Sequence, residues 1–313
     1  MKFGVQHGIG DSRWVPEILS PRETKRFAIT AERVGYDAIA FTDHPAPSGR
    51  WVDSGGEGVA DLFTSLGFCA AVTSTVRLLS WVLLPTYRNP FVTAHQVATL
   101  DHLSEGRVTL GMGTGYLKSE FYALGVDPNN RRQRFEEAIE IAQQVWAGED
   151  VTREGFGFSA RRVRSVPSSI QRPHPPLWLH GNTDWGLDWA VREGDGWIGM
   201  IINEQRIRTL RTRAIPTMDD FALRVDDVRI ACERAGRDPA TLEIICTGVW
   251  GMLDVRKGLS AEKMRDEVGR LEQIGAGWIV FNLCGDDPDA SIDTLEWVAS
   301  EMIERQSSHE PVA

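Results

Sequence analysis

Residues 37–51 read DAIAFTDHPAPSGRW. The apolar run Ala38–Phe41 ends in Thr42-Asp43-His44 and then meets Pro45. An imidazole titrates near neutral pH, so His44 can take up and return a proton, and a carboxylate beside it can orient the ring. Similar polar breaks follow other apolar runs: Gln6 and His7 after the first, GMGTGY (Gly111–Tyr116) after a later one, and His180-Gly181-Asn182-Thr183 after PPLWL. A turn residue or cap explains any one of them; several converging on one rim do not reduce to that so easily.

The glycine run would let a flat ring or a chain of phosphate and ribityl oxygens approach the backbone at Gly111, Gly113, Thr114 and Gly115. Its G-x-G-x-G spacing is not the dinucleotide fingerprint, and a tight turn needing positive φ accounts for it equally well. Gly181-Asn182-Thr183 opens a predicted helix, where free amides bind phosphate and Asn182 or Thr183 can simply cap. The Arg131/Arg132 and Arg161/Arg162 pairs, with Arg134, Arg164 and Arg172, read as solvated charge or as donors for a polyanionic tail. No CxxC, HxH or HExxH occurs, so no metal site is expected.

These residues need elements to position them. Strands are predicted over Lys2–Gln6, Asp37–Phe41, Val76–Leu84, Arg107–Gly111, Pro176–His180, Asp195–Ile198, Leu242–Gly248 and Gly277–Leu283. Between them fall helices over Pro21–Val34, Asp61–Ala71, Pro90–Leu103, Gln133–Ala147, Asp184–Arg192, Phe221–Ala235 and Ala261–Ile274. Apolar strands without alternation are covered on both faces and belong to a parallel sheet. Eight such units predict an α/β fold, a (β/α)₈ TIM barrel, with polar residues at the C-terminal strand ends facing the site. His44–Ala60 and Gly148–Pro175 lack periodicity and read as insertion loops on that face. Residues 1–305 form one domain, and 306–313 read as a disordered tail.

The chain has 313 residues, 42% hydrophobic and 25% charged, with a net charge of −10. That charge argues against broad nucleic-acid or anionic-membrane binding. The N-terminus has no apolar signal core and no window approaches a membrane span. Cys69, Cys232, Cys246 and Cys284 lie far apart in mostly apolar runs, which reads as four buried thiols in a cytoplasmic protein.

With these pieces assembled, the chain resembles the bacterial luciferase-like flavin and deazaflavin oxidoreductases, from residue 1 to about 305. The motifs that carry the likeness lie mostly in residues 76–146: Arg88-Asn89-Pro90, the D-x-L-S-x-G-R element Asp101–Arg107, Gly111–Gly115, and the R-x-x-R-x-x-E-x-x-E helix start from Arg131. The QRPHPPLW run and GDGW at Gly194–Trp197 match as well. Within the family it looks most like the branch using coenzyme F420, a 5-deazaflavin, which carries an Asp-His pair matched by Asp43 and His44.

The resemblance implies a cytoplasmic oxidoreductase, usually dimeric, moving a hydride between C5 of F420 and a small organic substrate. It places His44 near the ring as acid/base, with Asp43 orienting it or bonding the ring edge, and His7, Trp51 and Tyr116 lining the substrate side. It also implies a strand bulge with a non-prolyl cis peptide within Ser80-Trp81-Val82 and a phosphate position at Gly181-Asn182-Thr183. Two alternatives stay open: an FMN-dependent monooxygenase of the same fold, and a non-catalytic flavin-binding barrel. The chain departs from the branch at His180, where many relatives have a second glycine. It also has Tyr116 where sugar-phosphate dehydrogenases of the branch carry an acid, and it lacks their tryptophan soon after the Asp-His pair, which argues against a sugar-phosphate substrate.

Overall fold

A computed structural model describes residues 1–9, 15–56, 58–202, 204, 207, 210 and 212–303. Eight parallel strands form the barrel: β1 (Lys2–Ile9), β2 (Ala38–Phe41), β3 (Arg77–Leu83), β4 (Val108–Met112), β5 (Leu177–His180), β6 (Gly196–Met200), β7 (Glu243–Thr247) and β8 (Trp278–Cys284). Each pairs with the next, and β1 pairs with β8 (Lys2 opposite Trp278, Gln6 opposite Asn282), which closes the sheet as predicted. Residues 306–313 lie outside the described residues.

The alternation along each strand separates two cores. On β8, Trp278 and Val280 point into the barrel, while Ile279, Phe281 and Leu283 join the layer beneath the helices. The barrel interior is filled by Leu79, Trp81, Ile198, Ile245 and the edge-to-face pair Trp178–Trp278, whose ring centroids are 5.0 Å apart. Small residues make room for these indoles: a Cβ at Gly196 would come within 2.4 Å of Trp178. A plug of this kind leaves only the upper mouth hollow.

The helices are α1 (Pro21–Arg33), α2 (Gly49–Asp53), α3 (Leu62–Val72), α4 (Pro90–Leu103), α5 (Lys118–Ala123), α6 (Arg131–Ala147), α7 (Asp184–Glu193), α8 (Met218–Arg234), α9 (Ala261–Ile274) and α10 (Pro288–Met302). The D-x-L-S-x-G-R element proves architectural. The Asp101 carboxylate accepts from the Ser169 hydroxyl, the Ile170 and Gln171 amides and the Gln171 side chain. The Arg107 guanidinium donates to the Ala70, Thr73 and Val76 carbonyls, pinning the end of α3 to the start of β4.

Several elements depart from the expectation, among them the short helix α5 (Lys118–Ala123). The first insertion contains α2, capped by the Ser48 hydroxyl on the Trp51 amide. The second contains an antiparallel hairpin, Val151–Gly155 with Phe158–Val163. Helix α10, N-capped by Asp287, was not expected at all; it packs against β8 and α1.

Candidate active site

The C-terminal strand ends surround a cavity of about 400 Å³. Its wall takes Gln6 from β1, Thr42, Asp43 and His44 from the end of β2, Trp81 and Val82 from β3, and Gly113–Tyr116 from the segment after β4. The volume lies within the range of small-molecule sites. On β3 the register against β4 shifts between Ser80 and Leu83, and the Trp81–Val82 peptide in that bulge is cis. The bulge lets two successive side chains, Trp81 and Val82, both reach the cavity.

His44 sits at the centre of a polar chain. Its Nδ1 is 3.1 Å from Glu120 Oε2, and its Nε2 is 3.5 Å from the Tyr116 hydroxyl. A carboxylate accepts, so the pairing puts a proton on Nδ1, and in the neutral imidazole Nε2 then carries the lone pair, which faces the Tyr116 hydroxyl. Glu120, fully buried on α5, also accepts from the Ala46 amide at 3.0 Å and the Tyr87 hydroxyl at 3.0 Å. Burial, with Glu120 adding to it, pushes the Tyr87 phenol far above its ordinary value, so it stays a donor. Trp51 completes an aromatic cluster, 5.9 Å from Tyr116 and 6.4 Å from His44 between ring centroids.

Asp43 does not orient His44. Its carboxylate is held in a bidentate pair by Arg88 (2.6 and 2.8 Å) and accepts the Leu84 amide at 3.0 Å. The Arg-Asn-Pro turn thereby acquires a role: Arg88 reaches back to the end of β2, Asn89 caps α4, and Pro90 fills its first position. Asp43 still lines the cavity. The orienting carboxylate is Glu120, which the sequence reading did not single out because no spacing rule links positions 44 and 120.

Several expected cavity residues lie elsewhere. His7 faces away from the barrel, stacked on Phe41 and edge-on to Phe27, because β1 turns Gln6 inward and His7 outward. The Ser80 hydroxyl donates to the Gly111 carbonyl within the bulge, away from the cavity wall. Gly111 serves packing, since a Cβ there would come within 2.4 Å of the Ser80 carbonyl oxygen. The Asn182 side chain is spent on the Met200 backbone and the Arg213 carbonyl. By contrast, Gly113, Thr114, Gly115, Gly181, Thr183 and Tyr116 do line the cavity. Gly181 has φ +149° and open space where a side chain would project. The Thr183 hydroxyl caps α7 on the Gly186 amide.

Burial lowers the His7 imidazole to about 4. Below the unfolded-state value near 6.5 the unfolded chain binds a proton that the folded chain refuses until about pH 4, so stability falls as pH drops through that window. His7→Phe should therefore lose about 2 kcal/mol less than the parent between pH 7.5 and pH 5. Urea unfolding at the two pH values measures this, and an unchanged difference would refute it. His180, at the cavity wall, is lowered to about 4 by the same cause and remains neutral there.

Charge around the cavity is uneven. Lys118, Arg131 and Arg132 line it, and the Arg132 guanidinium lies 5.2 Å from the ring centre of Trp185 at the start of α7. Arg131 also donates to the Pro128 carbonyl, Arg162 and Arg164 meet Asp150, Arg134 meets the Thr86 carbonyl, and Arg172 the Ser169 carbonyl. Among the described residues, Asp254, Cys284 and Asp286 could group around a metal ion. Arg256 sits on both carboxylates instead, and its hydrogen bonds hold the Asp254 carboxyl down at about 2. The four cysteines are free and buried, and no helix among the described residues is long and apolar enough to cross a membrane.

Comparison with known proteins agrees with this layout. The family described as luciferase-like monooxygenase matches residues 1–252. The F420-dependent glucose-6-phosphate dehydrogenase of Beutenbergia cavernae is 33% identical over 307 residues, spanning 91% of this chain and 86% of that protein. The monooxygenase RslO1 of Streptomyces bottropensis superposes with a TM-score of 0.78 at 22% identity, covering 98% of this chain and all of that one. The coenzyme F420 dependent tetrahydromethanopterin reductase of Methanopyrus kandleri superposes at 0.73 with 18% identity, covering 97% and 99% of the two chains. A barrel closed on itself, a bulged third strand and a matched profile across most of the length lead to one conclusion: the chain belongs to the luciferase-like monooxygenase family of oxidoreductase enzymes.

Proposed function

We propose that the protein is an F420-dependent oxidoreductase in which His44 exchanges the proton that accompanies hydride transfer. The carrying observation is the Glu120–His44 pair on the cavity wall, with Nε2 3.5 Å from the Tyr116 hydroxyl. When bound, F420 supplies the hydride chemistry at C5. In the oxidising direction a substrate hydroxyl gives its proton to His44 Nε2 as its carbon loses a hydride. The product is a carbonyl, and the Glu120 carboxylate faces the imidazolium so formed. In the reducing direction the imidazolium returns the proton to the new hydroxyl.

The residues present suit such a cofactor. The Trp81–Val82 bulge offers an apolar backing for a flat ring, and Asp43, Gly113, Thr114 and Gly115 border the same space. Gly181, with nothing within 4 Å of a projected Cβ, and the nearby Lys118, Arg131 and Arg132 provide room and charge for an anionic tail. The preference for F420 over FMN rests on Asp43-His44 and on the relative named as F420-dependent, which matches over most of the chain. That relative's sugar-phosphate substrate is not carried over, because Tyr116 stands where an acid is expected.

Paired titrations with F420 and FMN test the cofactor assignment. F420 should bind at least about tenfold more tightly, a difference of about 1.4 kcal/mol, and its binding should weaken with added salt as the cations are screened. Tighter binding of FMN would transfer the site to the monooxygenase reading.

A further inference from the structure

One oxygen of the site serves two donors. Glu120 Oε2 lies 3.1 Å from His44 Nδ1 and 3.0 Å from the Tyr87 hydroxyl, while Oε1 accepts the Ala46 amide at 3.0 Å. Tyr87 ends the 3₁₀ turn Pro85–Tyr87 that follows β3, and the next residue is Arg88. Two adjacent residues of one turn therefore serve two adjacent residues at the end of β2. Arg88 holds Asp43, and Tyr87 reaches His44 through Glu120. Packing keeps the phenol in place: Leu84, Tyr87, Phe121 and Val126 form a small apolar cluster, with Tyr87 and Phe121 edge to face at 4.7 Å. The glycine run gives way to this cluster, since a Cβ at Gly115 would stand 3.0 Å from the Tyr87 hydroxyl oxygen and from the Phe121 ring.

Sharing has a chemical consequence. Two donors on one carboxylate oxygen draw on the same electron density, so each bond is weaker than it would be alone. The Tyr87 phenol keeps its proton near neutral pH, so this donor is always present. The Glu120 carboxylate is fully buried, and His44 is its ion-pair partner among the described residues. Unshared, a buried carboxylate would hold an imidazolium tightly and resist the return of its proton. We propose that Tyr87 is a positioning residue for His44: by sharing Glu120 Oε2 it loosens the grip of the carboxylate on the imidazole Nδ1–H. The consequence for turnover rests on the proton exchange proposed for His44; the coupling of the two donors does not.

The test uses the full chain with ¹⁵N-labelled histidine, read by proton NMR without cofactor. In the parent, the His44 Nδ1–H should show a nuclear Overhauser effect to the Tyr87 hydroxyl proton, both being bound to one oxygen. Tyr87→Phe keeps the ring of the cluster and removes the donor, and should move the Nδ1–H resonance downfield as its bond tightens. Val126→Ala loosens the same cluster but keeps the hydroxyl, and should leave the resonance in place. A resonance that stays put, moves upfield or vanishes in Tyr87→Phe would overturn the proposal. Should that variant not fold, absence of the Overhauser effect in the parent would do the same. With F420 bound, Tyr87→Phe should lower turnover in the reducing direction about threefold to tenfold at its pH optimum, with cofactor affinity within about twofold. In a Glu120→Gln background the same change should have no further effect. An equal loss there, or no loss in the parent background while His44→Ala is inactive, would overturn the role. If turnover proves independent of His44 while the resonance still moves downfield, the acid–base reading falls and the coupling stands.

Discussion

His44→Ala should lower turnover of the F420-loaded enzyme by about 10²–10⁴, the usual contribution of a positioned general acid–base group. Cofactor affinity should stay within a few-fold, because Asp43, Trp81, Val82 and Gly113–Gly115 are untouched. The side chain is only 7% exposed and is anchored by a fully buried Glu120. Its removal thus leaves a void that added imidazole can enter, and partial rescue of the rate should follow. Unchanged turnover would show that the proton moves elsewhere, with Tyr116 the nearest other candidate. Loss of cofactor binding alongside the rate would instead make His44 part of the binding wall.

The second large effect concerns stability. Arg88→Met should cost about 3–5 kcal/mol, because it strands the Asp43 carboxylate in a buried position with only the Leu84 amide as donor. The carboxylate side chain is 2% exposed and the guanidinium 17%, so water cannot readily take over. Adding Asp43→Asn to the variant should recover much of the loss, since the uncompensated charge is then gone. Denaturant unfolding of the two single variants and the double variant closes the cycle. A cost below about 1 kcal/mol for Arg88→Met would place the pair among weak surface ion pairs.

The barrel was legible because its signals are local and repeated: apolar runs such as AIAF and LWLH, each followed by a helix with its own start or stop residue. Residues on the rim were legible too, since a strand end is read from the sequence directly; His44, Trp51 and Tyr116 meet as expected. What failed was side-chain direction and long-range pairing. His7 and Gln6 are neighbours on one strand, and only the pleat decides that Gln6 faces the cavity. Asn182 and Ser80 sit at the right places in the chain but spend their polar atoms on adjacent strands.

Glu120 and Arg88 were out of reach for a different reason. Each acts on a residue 76 or 45 positions away, and neither separation has a periodic signature. The hairpin at Val151–Val163 hid because its strands alternate poorly, with only Val151 and Ala160 buried among exposed or half-buried positions. Helix α10 does carry a local start signal, an Asp287 cap followed by Pro288.

The most direct measurement is an anaerobic mixing experiment, in which F420-loaded protein meets a panel of alcohols with apolar rings and the long-wavelength absorbance of the oxidised cofactor is followed. The account predicts that this absorbance falls in the presence of at least one such alcohol, without oxygen, and that His44→Ala slows the fall by the factor given above. It would be contradicted if F420 stayed oxidised with every member of the panel while the protein loaded with reduced FMN consumed oxygen.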